Sequence, residues 1–208
     1  MTLDVTEMAR IYSWSESERH VRLNMAIDNK ASFTDAEGTS KGLSSHDDRA
    51  LLKIIRAQAD AVVTGANTIR LEGWNLPASG ILVVLSNSGN LPWDTCPDPT
   101  RVRVLSGNIE PGDIVLTLGD EGLRRILVEG GRSVARQFAQ KNLFDDVCLT
   151  VTTPTGEPTR DAVELALTKL LEVPLGEFEL TSFLPAGSTS SVFALWRRAL
   201  GVRAPSAH

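Results

Sequence analysis

Short apolar runs punctuate a polar background along the chain: 21–26 (VRLNMA), 61–64 (AVVT), 81–85, 102–105, 114–118, 126–128 and 147–151. They are rich in Val, Ile and Leu and too short for helices, which predicts strands covered on both faces. Helical spacing appears between several of them. Ser45 followed by Asp48 forms a capping box with Asp in place of Glu, and Leu51, Leu52, Ile55 and Gln58 follow at helical intervals. A second helix is predicted from Gly131 or Arg132 to near Asn142, with Val134 and Phe138 four apart on one face. Segment 159–172 reads either way, since Ala162, Leu165, Ala166 and Leu170 suit a helix and the surrounding prolines do not. Toward the C-terminus, 178–180 and 192–196 flank a Pro-, Gly- and Ser-rich stretch and predict an antiparallel hairpin. Segment 87–101, with Pro92, Pro97 and Pro99, reads as a surface loop.

Alternating strands and helices predict a mostly parallel sheet with helices on both sides and the hairpin at one edge. The 208 residues fit one domain or one and a half on a prior of about 150 residues each. The expected division is a polar arm over 1–19, one domain over 20–200 and a frayed tail over 201–208.

Composition narrows the class. With 42% hydrophobic and 23% charged residues, the chain can bury a core and is not disordered. A net charge of -5 without a basic stripe argues against nucleic acid; the cluster Arg197, Arg198 and Arg203 is expected to be solvated. Cys96 and Cys148 make neither a disulfide framework nor a four-ligand zinc site, and His20, His46 and His208 are scattered, so no metal is expected. The opening MTLDVTEMAR lacks an apolar core, and no run approaches membrane-spanning length; no signal peptide, no membrane partner and a cytoplasmic location are the expectations.

The candidate chemistry begins at 127–133 (LVEGGRS), a buried strand entering paired glycines and then a helix. Such a turn lets a ligand approach the backbone, and the free N–H groups of the first helical turn attract an anion such as a pyrophosphate. A tight turn with no ligand fits the same residues, and the GxGxxG fingerprint is absent. Segment 56–72 repeats the design, with a strand ending at Gly65 before a helical start. Two such junctions in one sheet place two anion-friendly turns at one carboxyl edge, as a dinucleotide requires. Thr68 serves as a helix cap, as a cofactor contact, or both.

The ordered set Asn24-Met25-Ala26, Gly42-Leu43-Ser44-Ser45, Asp48-Arg49, Arg56-Ala57-x-Ala59-Asp60-Ala61-Val62, Gly65-Ala66-x-Thr68-x-Arg70 and Val128-Glu129-Gly130-Gly131 resembles the riboflavin-pathway pyrimidine reductase family. The resemblance runs from about Val21 to Val151 and more loosely to Trp196. It implies a three-layer α/β/α, dihydrofolate-reductase-like mixed sheet with a C-terminal antiparallel hairpin. The deaminase signature HxE…PCxxC, often fused upstream in that family, is missing here, which implies a stand-alone reductase domain. The implied reaction is NADPH-dependent reduction of a ribosyl group to a ribityl chain, resembling 5-amino-6-(5-phosphoribosylamino)uracil reductase, with hydride reaching C1′. A phosphorylated aminopyrimidine is the implied substrate and a homodimer, paired through sheet edges, the implied assembly. A reductase of another small heterocycle, pterin-like, and a non-catalytic NADPH-binding module are the alternatives.

By the resemblance, Thr68 and Glu72 match the Thr-x-x-x-acid pair beside cofactor and reacting centre, with Glu where Asp is more common. Glu72 is the first candidate for acid–base chemistry; a solvent-facing first-turn carboxylate favoured by the helix dipole is the plain alternative. Ser40, Arg56, Leu76 and Glu129 match substrate contacts, Arg56 suiting a phosphate or simply serving as a helix C-terminal charge. Ala26, Gly42, Gly65, Ser86, Gly130, Gly131, Ser133 and Val134 match the cofactor side, with Ala135 continuing the phosphate turn.

The chain departs from the family after the first strand. Where Ser-x-Asp-Gly is usual it has Ala26-Ile27-Asp28-Asn29-Lys30-Ala31, and Gly42-Leu43 replaces an aromatic residue before the helix cap. Either Asp28-Asn29 stands in for Asp-Gly, making Asp28 a second catalytic candidate, or Lys30 occupies that place. Elsewhere His46 and the pair Asp145-Asp146 read as solvated, Ser88 and Ser190 lack a nucleophile elbow, and Trp74 is the tryptophan placed to border a cleft.

Overall fold

The computed structural model describes residues 4–14, 19–32, 45–107, 109–154, 156–174, 176–186 and 190–199. Among them the elements run α1 (Val5–Ile11), β1 (His20–Asp28), α2 (His46–Arg56), β2 (Ala61–Gly65), α3 (Ala66–Glu72), β3 (Ile81–Leu85), β4 (Val102–Leu105), α4 (Pro111–Asp120), β5 (Arg125–Val128), α5 (Arg132–Gln140), β6 (Asp146–Thr152), α6 (Arg160–Leu171), β7 (Phe178–Pro185) and β8 (Ser191–Arg198). The strands make one sheet in the order β4-β3-β2-β5-β1-β6-β8-β7. Neighbours from β4 to β6 are parallel, whereas β8 runs antiparallel to both β6 and β7. The expected mixed sheet with its hairpin at one edge is therefore present.

Period-two alternation splits the strands between two apolar layers. Val21, Leu23, Met25 and Ile27 of β1, with Ala61 and Val63 of β2 and Val147, Leu149 and Val151 of β6, face Ile114, Val115, Phe138, Val163 and Leu167 from α4–α6. The other face carries Val62, Leu82, Leu127, Cys148 and Leu195 under Met8, Leu51, Ile55 and Ile69 from α1–α3. Helices on both sides complete the three layers. Asn24, Thr64 and Thr150 share the strand phase of the α1–α3 face.

The structure differs from the sequence expectations in several places. The run 114–118, expected as a strand, lies in α4, with Pro111 at the first turn and Ile114, Val115 and Leu118 buried. A short apolar run fits either period, and the proline at the helix start decides it. The arm expected over 1–19 contains α1: Asp4 caps it by accepting from Thr6 N at 2.8 Å, and Met8, Tyr12 and Trp14 are buried. Segment 159–172 is helix α6, capped by Thr159; Val163, Ala166, Leu167 and Leu170 face inward and Leu165 faces solvent.

Asp145-Asp146 is not a solvated turn. Asp146 accepts from Arg22 Nε at 3.1 Å and Nη2 at 2.5 Å, with His20 Nε2 at 3.0 Å. The fully buried Arg22 also donates to Tyr12 O at 2.7 Å and stacks over the Trp14 ring at 4.3 Å. Asp145 accepts from Val21 N at 2.8 Å. Arg198 is likewise tied down, pairing with Glu177 and donating to Phe144 O, and Arg197 donates to Ile11 O. His46 is exposed as expected. Among the described residues no helix is long and apolar enough to cross a membrane.

Candidate active site

The carboxyl ends of β2 and β5 lie side by side, because these strands pair in parallel from Ala61 opposite Ile126 to Val63 opposite Val128. Each leaves the sheet through glycine into a helix, β2 by Gly65 into α3 and β5 by Gly130-Gly131 into α5. The turns touch. A Cβ on Gly130 would lie 2.8 Å from Thr64 Oγ1, 2.9 Å from Thr64 Cα and 3.0 Å from Gly65 N, so only glycine allows this approach. The two junctions read from the sequence thus share one crevice.

That crevice is a cleft of about 530 Å³ on the α2–α3 side. Ala26 of β1 enters its lining, as do Gly65, Thr68 and Glu72 from β2 and α3. Glu129, Gly130, Gly131, Ser133 and Val134 line it from the β5–α5 turn, and Arg56 from the end of α2. Ser40 and Gly42 lie outside the described residues.

Three candidates fall outside the cleft lining. Asp28 caps its own turn, its Oδ1 accepting from Lys30 N at 2.9 Å and Ser32 N at 2.7 Å. The left-handed residue there is Ala31, at φ 64, rather than Asn29, and Lys30 is exposed. A short carboxylate two to four residues before open backbone N–H groups bonds locally in this way. Ser86 is buried and its Oγ accepts from Gly89 N at 3.0 Å, closing the turn after β3. Leu76 packs into the α1–α3 apolar layer instead of the cleft wall. Trp74 likewise stacks against Trp93 and donates to Pro92 O at 2.9 Å.

Arg56 and Glu129 form one unit. Arg56 Nε donates to both Glu129 carboxylate oxygens at 2.9 Å, and its Nη2 pairs with Oε2. Its Nη1 reaches Asn75 O at 3.4 Å. Burial draws the Arg56 pKa down, but the bond and charge of Glu129, with the charge of Glu72, outweigh it and leave it raised. Much of the guanidinium fork expected for a substrate phosphate is therefore committed to Glu129, which it orients in the cleft.

Two plain alternatives are settled by position. Glu72 is the last residue of α3, the end where the helix dipole opposes a carboxylate, so dipole pairing does not account for it. Thr68 does not cap α3; Gly65 holds that place without a side-chain bond, and Thr68 faces the cleft.

The cleft suits a phosphorylated nucleotide. Helix α5 begins at the cleft with no side chain capping its first amides. A Cβ on Gly131 would meet nothing within 4 Å, leaving the turn's backbone open to a ligand. Thr64 Oγ1 is buried at the cleft floor without a hydrogen-bond partner among the described residues. Sequence reasoning passed over Asn24, Asp48, Arg49, Asn67 and Arg132, which also line the cleft. Asn24 and Asp48-Arg49 stand in the motif set without a site role, Asp48 also as a cap residue, and the two-residue period along β1 puts Asn24 on the face of Ala26.

Known structures share this fold. The fold is similar to that of a pyrimidine reductase-like protein from Corynebacterium diphtheriae, at 19% identity and TM-score 0.69 over 92% of this chain and 98% of that one. It is also similar to a riboflavin biosynthesis reductase of Saccharomyces cerevisiae, at 14% identity and TM-score 0.64 over 95% and 100% of the two chains. A dihydrofolate reductase from Enterococcus faecalis, solved with NADP(H), matches at 14% identity and TM-score 0.54 over 86% and 96%. No curated protein sequence matches the chain. The family match itself covers residues 19–155, which hold both glycine turns and every described wall of the cleft, and by it the chain belongs to the RibD C-terminal domain family.

Proposed function

We propose that this chain is an NADPH-dependent reductase that converts the ribosyl group of a phosphorylated aminopyrimidine into a ribityl chain. The observation that carries the reading is the contact between the Gly65 and Gly130 turns at the edge of one cleft that also holds Glu72 and the Arg56–Glu129 pair. Family membership supports the reaction class, and the riboflavin biosynthesis reductase among the similar structures points the same way.

NADPH, when bound, would supply the hydride. The chain's own share is grip, orientation and proton supply. The first-turn amides of α5 and the open face of Gly131 would hold phosphate, and Thr68 with Thr64 would offer hydroxyls nearby. Arg56 fixes the Glu129 carboxylate in one orientation as a substrate contact. Reduction at a carbonyl or imine carbon needs one hydride and one proton, and Glu72, which lines the cleft, is our candidate to supply that proton.

Saturable NADPH binding, followed by cofactor fluorescence or calorimetry, is the direct test; its absence removes the reading. Glu72→Gln is expected to lower kcat about 10²–10⁴-fold with NADPH affinity unchanged. Undiminished turnover of this variant would reject the proton-delivery role while leaving the reductase standing. Tight NADPH binding without hydride transfer to an aminopyrimidine phosphate or dihydrofolate would mark a binding module instead. Two copies pairing through a sheet edge would use β4 or β7, the outer strands, and light scattering after gel filtration reads that out.

A further inference from the structure

Helix α2 borders the cleft along one face, where Asp48, Leu52 and Arg56 recur at helical spacing in the lining. A helix bordered by open space is held from its other faces, and here the support comes from the start of the chain. Leu51 and Ile55 of α2 share an apolar layer with Met8, Tyr12 and Trp14, which precede the family-matched residues 19–155. Two arginines tie that segment down. Arg22 of β1 donates to Tyr12 O at 2.7 Å and to Ser13 O at 3.0 Å, and Arg197 of β8 donates to Ile11 O at 2.8 Å. One carboxylate, Asp146 of β6, faces both, 2.5 Å from Arg22 Nη2 and 3.9 Å from Arg197 Nε.

Trp14 carries this anchorage to the cleft. It is 8% exposed, with the Arg22 guanidinium 4.3 Å from its ring centroid and the His20 ring T-shaped to it at 5.3 Å. Its indole Nε1–H donates to Ile55 O at 3.4 Å. Ile55 immediately precedes Arg56 in the last turn of α2, where carbonyls lack partners within the helix. We infer that Trp14 is a positioning residue: it fixes the last turn of α2, and with it the direction from which Arg56 holds the Glu129 carboxylate. Turning α2 by about 15° would carry a group at its outer radius of about 6 Å through about 1.5 Å, enough to break the 2.9 Å bonds from Arg56 Nε. The two glycine turns belong to β2 and β5, and their contact lies within the sheet. Loss of Trp14 therefore bears on the Glu129 side of the cleft and spares the phosphate side; the identity of the two ligands rests on the reductase reading.

Three measurements on the full chain test this. Trp14→Ala is expected to raise KM for the aminopyrimidine phosphate about tenfold with kcat within about twofold, as loss of one charge-assisted contact made equally in ground and transition states would. Its NADPH affinity, by calorimetry, is expected to stay within about twofold of wild type. In ¹⁵N spectra the Arg56 Nε–H, protected by its bonds to Glu129, is expected to exchange with water about tenfold faster than in wild type. Trp14→Phe keeps a ring beneath Arg22 and is expected to recover part of both changes. Unchanged KM or unchanged Arg56 exchange in a folded Trp14→Ala overturns the inference, as does an NADPH loss as large as the substrate loss, which marks general loosening. If Trp14→Ala does not fold, Trp14→Phe decides: faster Arg56 exchange with NADPH affinity kept supports the inference, and wild-type exchange overturns it. Wild-type protein that turns over no aminopyrimidine phosphate rejects the reductase reading alone, and Arg56 exchange then decides on Trp14.

Discussion

Gly130→Ala is expected to weaken NADPH binding by about a hundredfold or more and to lower stability by about 1–3 kcal/mol. The added methyl would meet Thr64 Oγ1 at 2.8 Å, Thr64 Cα at 2.9 Å and Gly65 N at 3.0 Å. Two of these are backbone atoms at the end of β2, locked by pairing with β3, so no flexible side chain can swing aside. Relief must come from displacing the β5–α5 turn, which moves the α5 amides away from the second glycine turn. Gly131→Ala is the control. It has open space for a Cβ and a negative φ of -37°, so its stability is expected to stay within about 0.5 kcal/mol of wild type. Calorimetric titration with NADPH and urea unfolding of both variants make the comparison. If Gly130→Ala bound NADPH as wild type does, the contact between the turns would not be what builds the site.

Asp146→Asn is expected to cost about 3–5 kcal/mol of folding stability, a large part of the ordinary margin of about 5–15 kcal/mol. The variant leaves the fully buried guanidinium of Arg22 without its counter-charge, facing neutral acceptors alone: the new amide oxygen, Tyr12 O and Ser13 O, with the Trp14 ring beside it. Replacing both partners by apolar residues, Arg22→Met with Asp146→Leu, is expected to recover most of the loss, since no charge is then left uncompensated. Urea melts of the three variants check this, and equal losses in the single and double variants would show that packing, not charge, is responsible.

The same pair sets an acid limit. Burial pushes the Asp146 carboxyl up, but His20, with Nε2 3.0 Å away, and the charge and hydrogen bonds of Arg22 outweigh it and hold its pKa below the ordinary value. A depressed folded pKa gives stability that is complete above the unfolded value, near 4, and is lost as pH falls through the folded one. Burial pushes neighbouring Asp145 the other way, so that carboxyl favours folding at low pH and partly flattens the fall. In Asp146→Asn the part of the acid limb owed to this carboxyl should vanish.

The fold was largely legible because strands write themselves locally. β1 alternates in its second half, β2, β3 and β6 are short continuous apolar runs of the kind buried on both faces, and Ser45, accepting from Asp48 N, starts α2 where expected. Errors came where local pattern was ambiguous. Residues 114–118 fit either period until Pro111 is weighed, and α1, only seven residues long, is held by Met8 and Tyr12 packing on distant strands. Asp28 carried the family's expected chemistry but had nearer partners in Lys30 N and Ser32 N.

By itself, the sequence determined what depends on a few adjacent residues: strand runs, helix caps and the glycines at 65, 130 and 131, because backbone conformation and side-chain period are set within one or two turns of chain. The tertiary structure alone decided which charged and polar groups meet. Arg56 finds Glu129 across 73 residues, Thr150 finds Asp48 across 102, and Arg22 finds Asp146 across 124. Such partners have no spacing rule. Burial compels each of these polar groups to find one, and the order in which strands enter the sheet determines which is within reach.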